Sequence, residues 1–236
     1  MNIKFGIALA SIGVITLGLR AATKLEDDRT YTTSFGVSKA ELTSIGRNPF
    51  FVLVPGYQLS YEGKDAGAVE TLTITVLDET KLVDGVETRI IEERESSDGQ
   101  IVEISRNYFA ISKRTNDVYY FGEDVNMYKS GKVVSHDGSW LAGVDGAKFG
   151  MMMPGTPLIG SRFAQELAPG KALDRSEIVS GSETATVPAG KFADVLEVQE
   201  TSPLEPGVAE MKYYAAGVGL IREGKLKLVK YGQIVK

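Results

Sequence analysis

From Phe50 onward the chain alternates apolar and polar positions with a period of two. Leu72, Ile74 and Val76 alternate with Thr71, Thr73 and Thr75, the pattern of a half-buried strand. Asp84-Gly85 separates this run from residues 86–95, where Ile90 and Ile91 sit among charges. Asp98-Gly99 separates that run from residues 101–113, with Val102, Ile104, Tyr108 and Ala110 on one face. Asp-Gly between alternating runs predicts β-hairpins. Residues 118–121 continue the meander and turn near Gly131 toward Val133 and Val134. Strands are expected again at 178–187, 192–201, 208–214, 218–222 and 226–235, with Glu223-Gly224 as the last tight turn. No fixed-period repeat occurs, which argues against propellers and solenoids.

Two stretches break the alternation. Ser38-Lys39-Ala40-Glu41 is a capping-box pattern with Leu42 and Ile45 behind it and Gly46 as a stop. It predicts one short helix, ended by Asn48-Pro49. Residues 136–170 carry glycine at 138, 143, 146, 150, 155, 160 and 170 and proline at 154, 157 and 169. No strand is expected to cross that density of breakers, although Ser161 to Leu167 could form a second short helix with Phe163 and Leu167 facing inward. The expected fold is therefore an antiparallel β domain interrupted once by a long Gly/Pro-rich loop.

The N-terminus reads differently. Lys4 precedes an uncharged apolar run from Phe5 to Leu19, the basic start and apolar core of a secretory signal. The run is shorter than the ~20 residues that span a bilayer comfortably. Its exit, Leu19-Arg20-Ala21-Ala22-Thr23-Lys24, makes a poor cleavage site, so residues 1–22 are read as a signal peptide or an uncleaved membrane anchor. Residues 23–48 then form a tether with the short helix, and 49–236 a single β domain. Either reading places that domain in the periplasm or outside the cell.

Composition narrows the chemistry. The 236 residues carry a net charge of −5, or −7 once Lys4 and Arg20 are removed, which argues against a nucleic-acid partner. With no cysteine, disulfides, thiolate metal sites and a cysteine nucleophile are excluded. The one histidine, His136, lies in Ser135-His136-Asp137-Gly138-Ser139, but adjacency in sequence does not build a triad, and no Gly-x-Ser-x-Gly elbow occurs. No cofactor is expected. A structural calcium could use loop carboxylates, Asp124, Asp137 and Asp145 foremost, with Glu123, Glu166, Glu205 and Glu210 also beside loops. The rival reading is that these are solvated loop acids, and no EF-hand series is present. Trp140, Met151, Met152, Met153, Leu158 and Phe163 concentrate apolar surface inside the irregular loop. They read either as a lid sealing the core or as the lining of a pocket for an apolar ligand.

Val187-Pro188-Ala189-Gly190-Lys191-Phe192, followed by Tyr213-Tyr214-Ala215-Ala216-Gly217-Val218-Gly219-Leu220-Ile221, resembles the C-terminal half of a family of uncharacterised exported bacterial β proteins. Tyr120-Phe121-Gly122-Glu123-Asp124 and Gly138-Ser139-Trp140 with Ala142-Gly143 are similar to the middle of that group, while Met151-Met152-Met153 is bulkier than its pattern. The resemblance spans about residues 50–232. It implies a mainly β fold with a strongly curved antiparallel sheet, a half-barrel like those of lipoprotein carriers, over which the Gly/Pro-rich loop is read as the lid. It implies no established activity. The functional expectation is an exported or membrane-tethered, non-enzymatic protein that binds an apolar small molecule or an envelope protein partner. A structural subunit of an envelope complex and a carboxylate-dependent hydrolase are the alternatives.

Overall fold

The computed structural model describes residues 30–234. The apolar run at 5–19 and the start of the tether lie outside these residues, and among the described residues no helix is long and apolar enough to cross a membrane. One 3-10 turn at Lys39–Glu41 is followed by strands β1 (Leu42–Thr43), β2 (Gly46–Asn48), β3 (Phe51–Leu53), β4 (Tyr57–Asp65), β5 (Ala68–Val83), β6 (Val86–Ser97), β7 (Gln100–Ser112), β8 (Val118–Lys129) and β9 (Lys132–Ser135). The second half contains β10 (Trp140–Leu141), β11 (Lys148–Met153), β12 (Arg162–Ala164), β13 (Glu166–Leu167), β14 (Arg175–Val187), β15 (Gly190–Thr201), β16 (Ala209–Ala215), β17 (Gly219–Glu223) and β18 (Leu226–Gln233). Sixteen of these form one antiparallel sheet that curls into a nearly closed barrel, and β2 and β3 pair separately. The strongly curved antiparallel sheet is thus present, and it curls further than half a barrel.

The hairpins follow from local chemistry. Asp84-Gly85 and Asp98-Gly99 have positive φ at both central residues (48° and 76°, 46° and 76°), the turn whose twist matches the flanking strands. They join β5 to β6 with Val83 opposite Val86, and β6 to β7 with Ser97 opposite Gln100. The expected helix at Ser38 shrinks to the 3-10 turn. The Ser38 side chain makes no capping bond, and Leu42 extends to pair with Ser112 on β7. One turn of helix gains little for its nucleation cost, so pairing with an existing strand wins.

The largest departure from the sequence reading is at 136–170, which is wall rather than a structureless lid. Four strands lie in it, and most of its glycines fall in the turns between them. The helix expected at 161–167 is extended chain that closes the barrel. Arg162 to Ala164 pair with Glu177 to Arg175 on β14, and Glu166 and Leu167 pair with Phe149 and Lys148 on β11. Between them the Gln165 N–H donates to the Asp174 carbonyl at 2.8 Å. Two unpaired sheet edges offer this segment more hydrogen bonds than an isolated turn of helix could. The seam is tight because Gly150 lacks a side chain: a Cβ there would lie 2.4 Å from the Gln165 carbonyl oxygen. On the outer side, Thr32 bridges to β12, its N–H donating to the Arg162 carbonyl at 3.0 Å.

Gly150→Ala should therefore lower stability by about 2–3 kcal/mol, the cost of overpacking against backbone that cannot retreat. Gly181→Ala, with no neighbour within 4 Å of its Cβ, serves as the near-neutral control. Equal urea midpoints for the two variants would show that the seam is not tightly closed.

Candidate functional site

The barrel interior changes character along its length, and two β-bulges cause the change. Along β8, Tyr108 pairs with Gly122 but Phe109 pairs with Tyr120, so Phe121 is the extra residue. Tyr120 and Glu123, three apart, thereby share one face, which strict alternation would forbid. A side chain at Gly122 would strike the Trp140 carbonyl, 2.5 Å from its Cβ. Along β17 the shift between Tyr213 and Tyr214 on β16 sets Leu220 opposite Tyr214 and Glu223 opposite Lys212. The bulges set Glu123 opposite Asn107 and Glu223 opposite Lys212.

The result is a run of buried ionisable groups. Glu93, Glu103, Glu123, Glu166, Glu200 and Glu223 are all buried, as is Lys212. Lys212 Nζ lies 3.0 Å from Glu200 Oε1 and 3.2 Å from Glu223 Oε1. Burial works against its charge, but Glu200 and Glu223 outweigh that and keep it protonated well beyond the usual lysine range. One ammonium does not offset the burial of Glu223, whose carboxyl is raised. Glu93 is pushed up to about 7 by burial, against the pull of Lys212. Burial, helped by Glu93, pushes Glu103 up to about 8. Asp174 rises to about 7 through burial and the charge of Glu200. Glu123 and Glu166 are raised by burial first and by neighbouring carboxylates second. Arg89, the other buried base, is spent elsewhere: its Nε donates to the Ser44 carbonyl at 2.9 Å and Nη1 to Leu77 and Glu79 carbonyls at 3.3 Å.

Above this polar end lies an apolar cavity of about 50 Å³. Phe50, Phe51, Leu59, Ile74, Val76 and Leu220 form its sides, while Glu93 and Lys212 stand in its wall. Tyr57 and Tyr61 brace it by donating to the Val218 and Leu220 carbonyls at 2.9 and 2.8 Å. Several buried polar atoms have no hydrogen-bond partner among protein groups, including Glu103 Oε2, Glu123 Oε1, Trp140 Nε1 and Ser176 Oγ. Buried polar atoms are normally paired, so these call for water or a ligand.

The residues singled out from sequence are dispersed. Trp140, Met152, Met153 and Phe163 are buried, Met151 is half-buried, and Leu158 is exposed on the turn before β12. Met152 lines the cavity. Trp140 packs edge-on against Tyr120 with ring centroids 5.2 Å apart. The three acids considered for calcium are not brought together. Asp124 pairs with Lys81 at 2.8 Å and accepts from the Tyr108 hydroxyl. Burial opposes its ionisation, but those two donors hold its carboxyl below the usual range. Asp137 and Asp145 are exposed in separate turns. Among the described residues no group of three or more His, Asp or Glu is placed to hold a metal ion. His136 is exposed, with Nδ1 2.9 Å from the Val125 carbonyl oxygen, and Ser139 Oγ accepts from the Val125 N–H.

Sequence reading named Glu123, Glu166 and Glu210 as loop acids and passed over Glu93, Glu103, Glu200, Lys212 and Glu223. The available signal was phase. Glu93 follows Ile91 by two, Glu200 follows Val198 by two, and Lys212 precedes Tyr214 by two, so each polar residue sits at a core position of its strand.

Two outcomes follow from the buried charges. The raised carboxyls keep protons that the unfolded chain, near pKa 4.5, has already lost. Their contribution is complete below the unfolded value and is lost as pH rises through 7 to 8. The melting temperature should drop by about 5–10 °C between pH 5 and pH 8.5, at about 2–4 °C per kcal/mol for a chain of this size. Glu103→Gln should flatten the slope, and a melting temperature that climbs over this range would contradict the assignment. Lys212→Met should cost about 3–5 kcal/mol, because it strands buried carboxylates, with partial recovery in Lys212→Met/Glu223→Gln.

No protein-family model, curated protein or solved structure matches the chain.

Proposed function

We propose that this is an exported or membrane-tethered binding protein that holds a small ligand inside its barrel without transforming it. The supporting observation is the interior cavity, apolar along its sides and carrying Glu93 and Lys212 in its wall. An apolar enclosure with a few fixed polar groups is the usual form of a small-molecule site, the apolar surface supplying affinity and the polar groups orientation. A cavity of about 50 Å³ takes a few heavy atoms, so the ligand is small or only its end enters. Met152, unbranched and polarizable, is the adaptable part of the lining. The apolar run at 5–19 supports the location outside the cytoplasm.

Filling the cavity tests this. Val76→Phe and Ile91→Phe each place a ring in it, and both should abolish binding of a small apolar probe such as n-butanol followed by chemical-shift titration of the cavity methyls. At least one should keep a melting temperature within a few degrees of the parent. Undiminished titration in a folded variant would place the probe outside the barrel and defeat the proposal.

A further inference from the structure

A patch of exposed apolar side chains stands where the N-terminal chain joins the barrel. Leu158 and Ile159, in the turn before β12, are 66% and 72% exposed, and Val179 on β14 is 40% exposed. They adjoin, because the Gly160 N–H donates to the Ile178 carbonyl at 2.7 Å and so sets Ile159-Gly160 against Ile178-Val179. Val179 is the extra residue of a bulge, between Ile178 paired with Val198 and Ser180 paired with Glu197. The turn is held from behind. The Gly155 N–H donates to Asp117 Oδ1 at 2.7 Å, Asn48 Nδ2 to the Pro154 carbonyl at 2.9 Å, and the Ser161 N–H to the Leu158 carbonyl at 3.0 Å. Adjoining aliphatic side chains presented to water on a fixed turn mark a contact surface.

The chain that leads into the barrel points to the occupant. Thr32 pairs parallel to Phe163, its N–H donating to the Arg162 carbonyl and its carbonyl accepting from the Ala164 N–H at 2.9 Å. Parallel pairing sends Tyr31 and Thr30 back beside Arg162 and Ser161, toward Ile159 and Leu158. Ten residues separate Thr30 from Leu19, the end of the apolar run, a reach of no more than about 40 Å. Arg47, Lys113 and Arg114 are exposed near the base of the turn, where Asn48 also donates to the Asn116 carbonyl, and Arg114 shares its charge with Glu41 at 3.4 Å. Aliphatic side chains with cations beside them suit the boundary between anionic head groups and acyl chains.

We propose that Leu158, Ile159 and Val179 dip into the surface of an anionic lipid bilayer and seat the barrel on the membrane that holds its N-terminal run. This rests on the reading of the chain as membrane-tethered. The tether supplies proximity, which makes even a weak second contact effective, and the turn decides which side of the barrel faces the lipid.

The chain has no cysteine, so a single introduced thiol reports its own position. Ile159→Cys and Val134→Cys, each in the full chain, are labelled with the fluorophore NBD and mixed with vesicles of equal parts phosphatidylglycerol and phosphatidylcholine. Val134 is the control: it is 60% exposed on β9, which pairs with the opposite end of β8 from Met153. Flotation reads the tether, and nitroxides on the acyl chains quench any label that reaches them. The label at 159 should lose about half its emission or more, as for a group about 5–10 Å into the head-group boundary, and the label at 134 almost none. Adding Leu158→Glu and Val179→Glu, both at exposed positions, should restore most of the emission at 159 and leave flotation and melting temperature unchanged. Floating protein whose label at 159 is no more quenched than that at 134 would overturn the docking and keep the tether. An unquenched label at 159 that is blue-shifted, with a shift that fades on dilution, would also overturn it and give the patch to a second copy of the chain. If the chain does not float, the tether fails and the docking with it.

Discussion

Everything in this molecule depends on the pairing of residues 162–167 with two strands at once. The sheet has two ends, β14 on one side and β11 on the other, and the same short segment satisfies both. An open sheet of this length would leave a row of backbone donors and acceptors facing water at each edge. With both edges paired, the inner face is withdrawn from solvent as a whole. Only then can side chains such as Tyr61, Tyr120, Phe109 and Lys212 be almost completely inaccessible. The closure is made by backbone, which explains why Gly150 sits where the two chains approach most closely.

Enclosure gives the carboxylates their character. In water, Glu93, Glu103 and Glu123 would be ordinary acids. Behind the wall their charged forms lose solvation that a single lysine cannot replace, so protons are retained. A core built for stability alone would use aliphatic side chains at these positions, because buried ionic groups rarely repay their desolvation. The bulges at Phe121 and Ile221 reinforce the point: each interrupts a regular ladder and so turns a carboxylate inward.

Much of the architecture was legible in the sequence, and the parts that were not share a cause. Asp84-Gly85 and Asp98-Gly99 identify their hairpins because turn chemistry is local. The burial of Trp140, Met152 and Phe163 follows from their size and apolarity. The strand character of 162–167 was hidden, since it depends on partners at 148–149 and 175–177 rather than on its own residues. The helix pattern at Ser38 failed for the same reason, overridden by the edge of β7. Glu123 was recognised as an acid but not as an interior one, because the bulge that reverses its face is set by the register with β7 and β10.

The first and last strands of the barrel are neighbours, β4 lying against β18 from Gln58 opposite Gly232 to Glu62 opposite Lys227. Tyr57 and Tyr61 reach carbonyls that lie 161 and 159 positions further along the chain. A chain emerging from the ribosome therefore carries β4 with an open edge until β18 appears. The ring cannot be completed in stages. Contacts of such long range form late and slowly, so until β18 arrives the acidic interior is exposed, hydrated and ionised. Barrel closure and the uptake of protons by the enclosed carboxyls are therefore coupled.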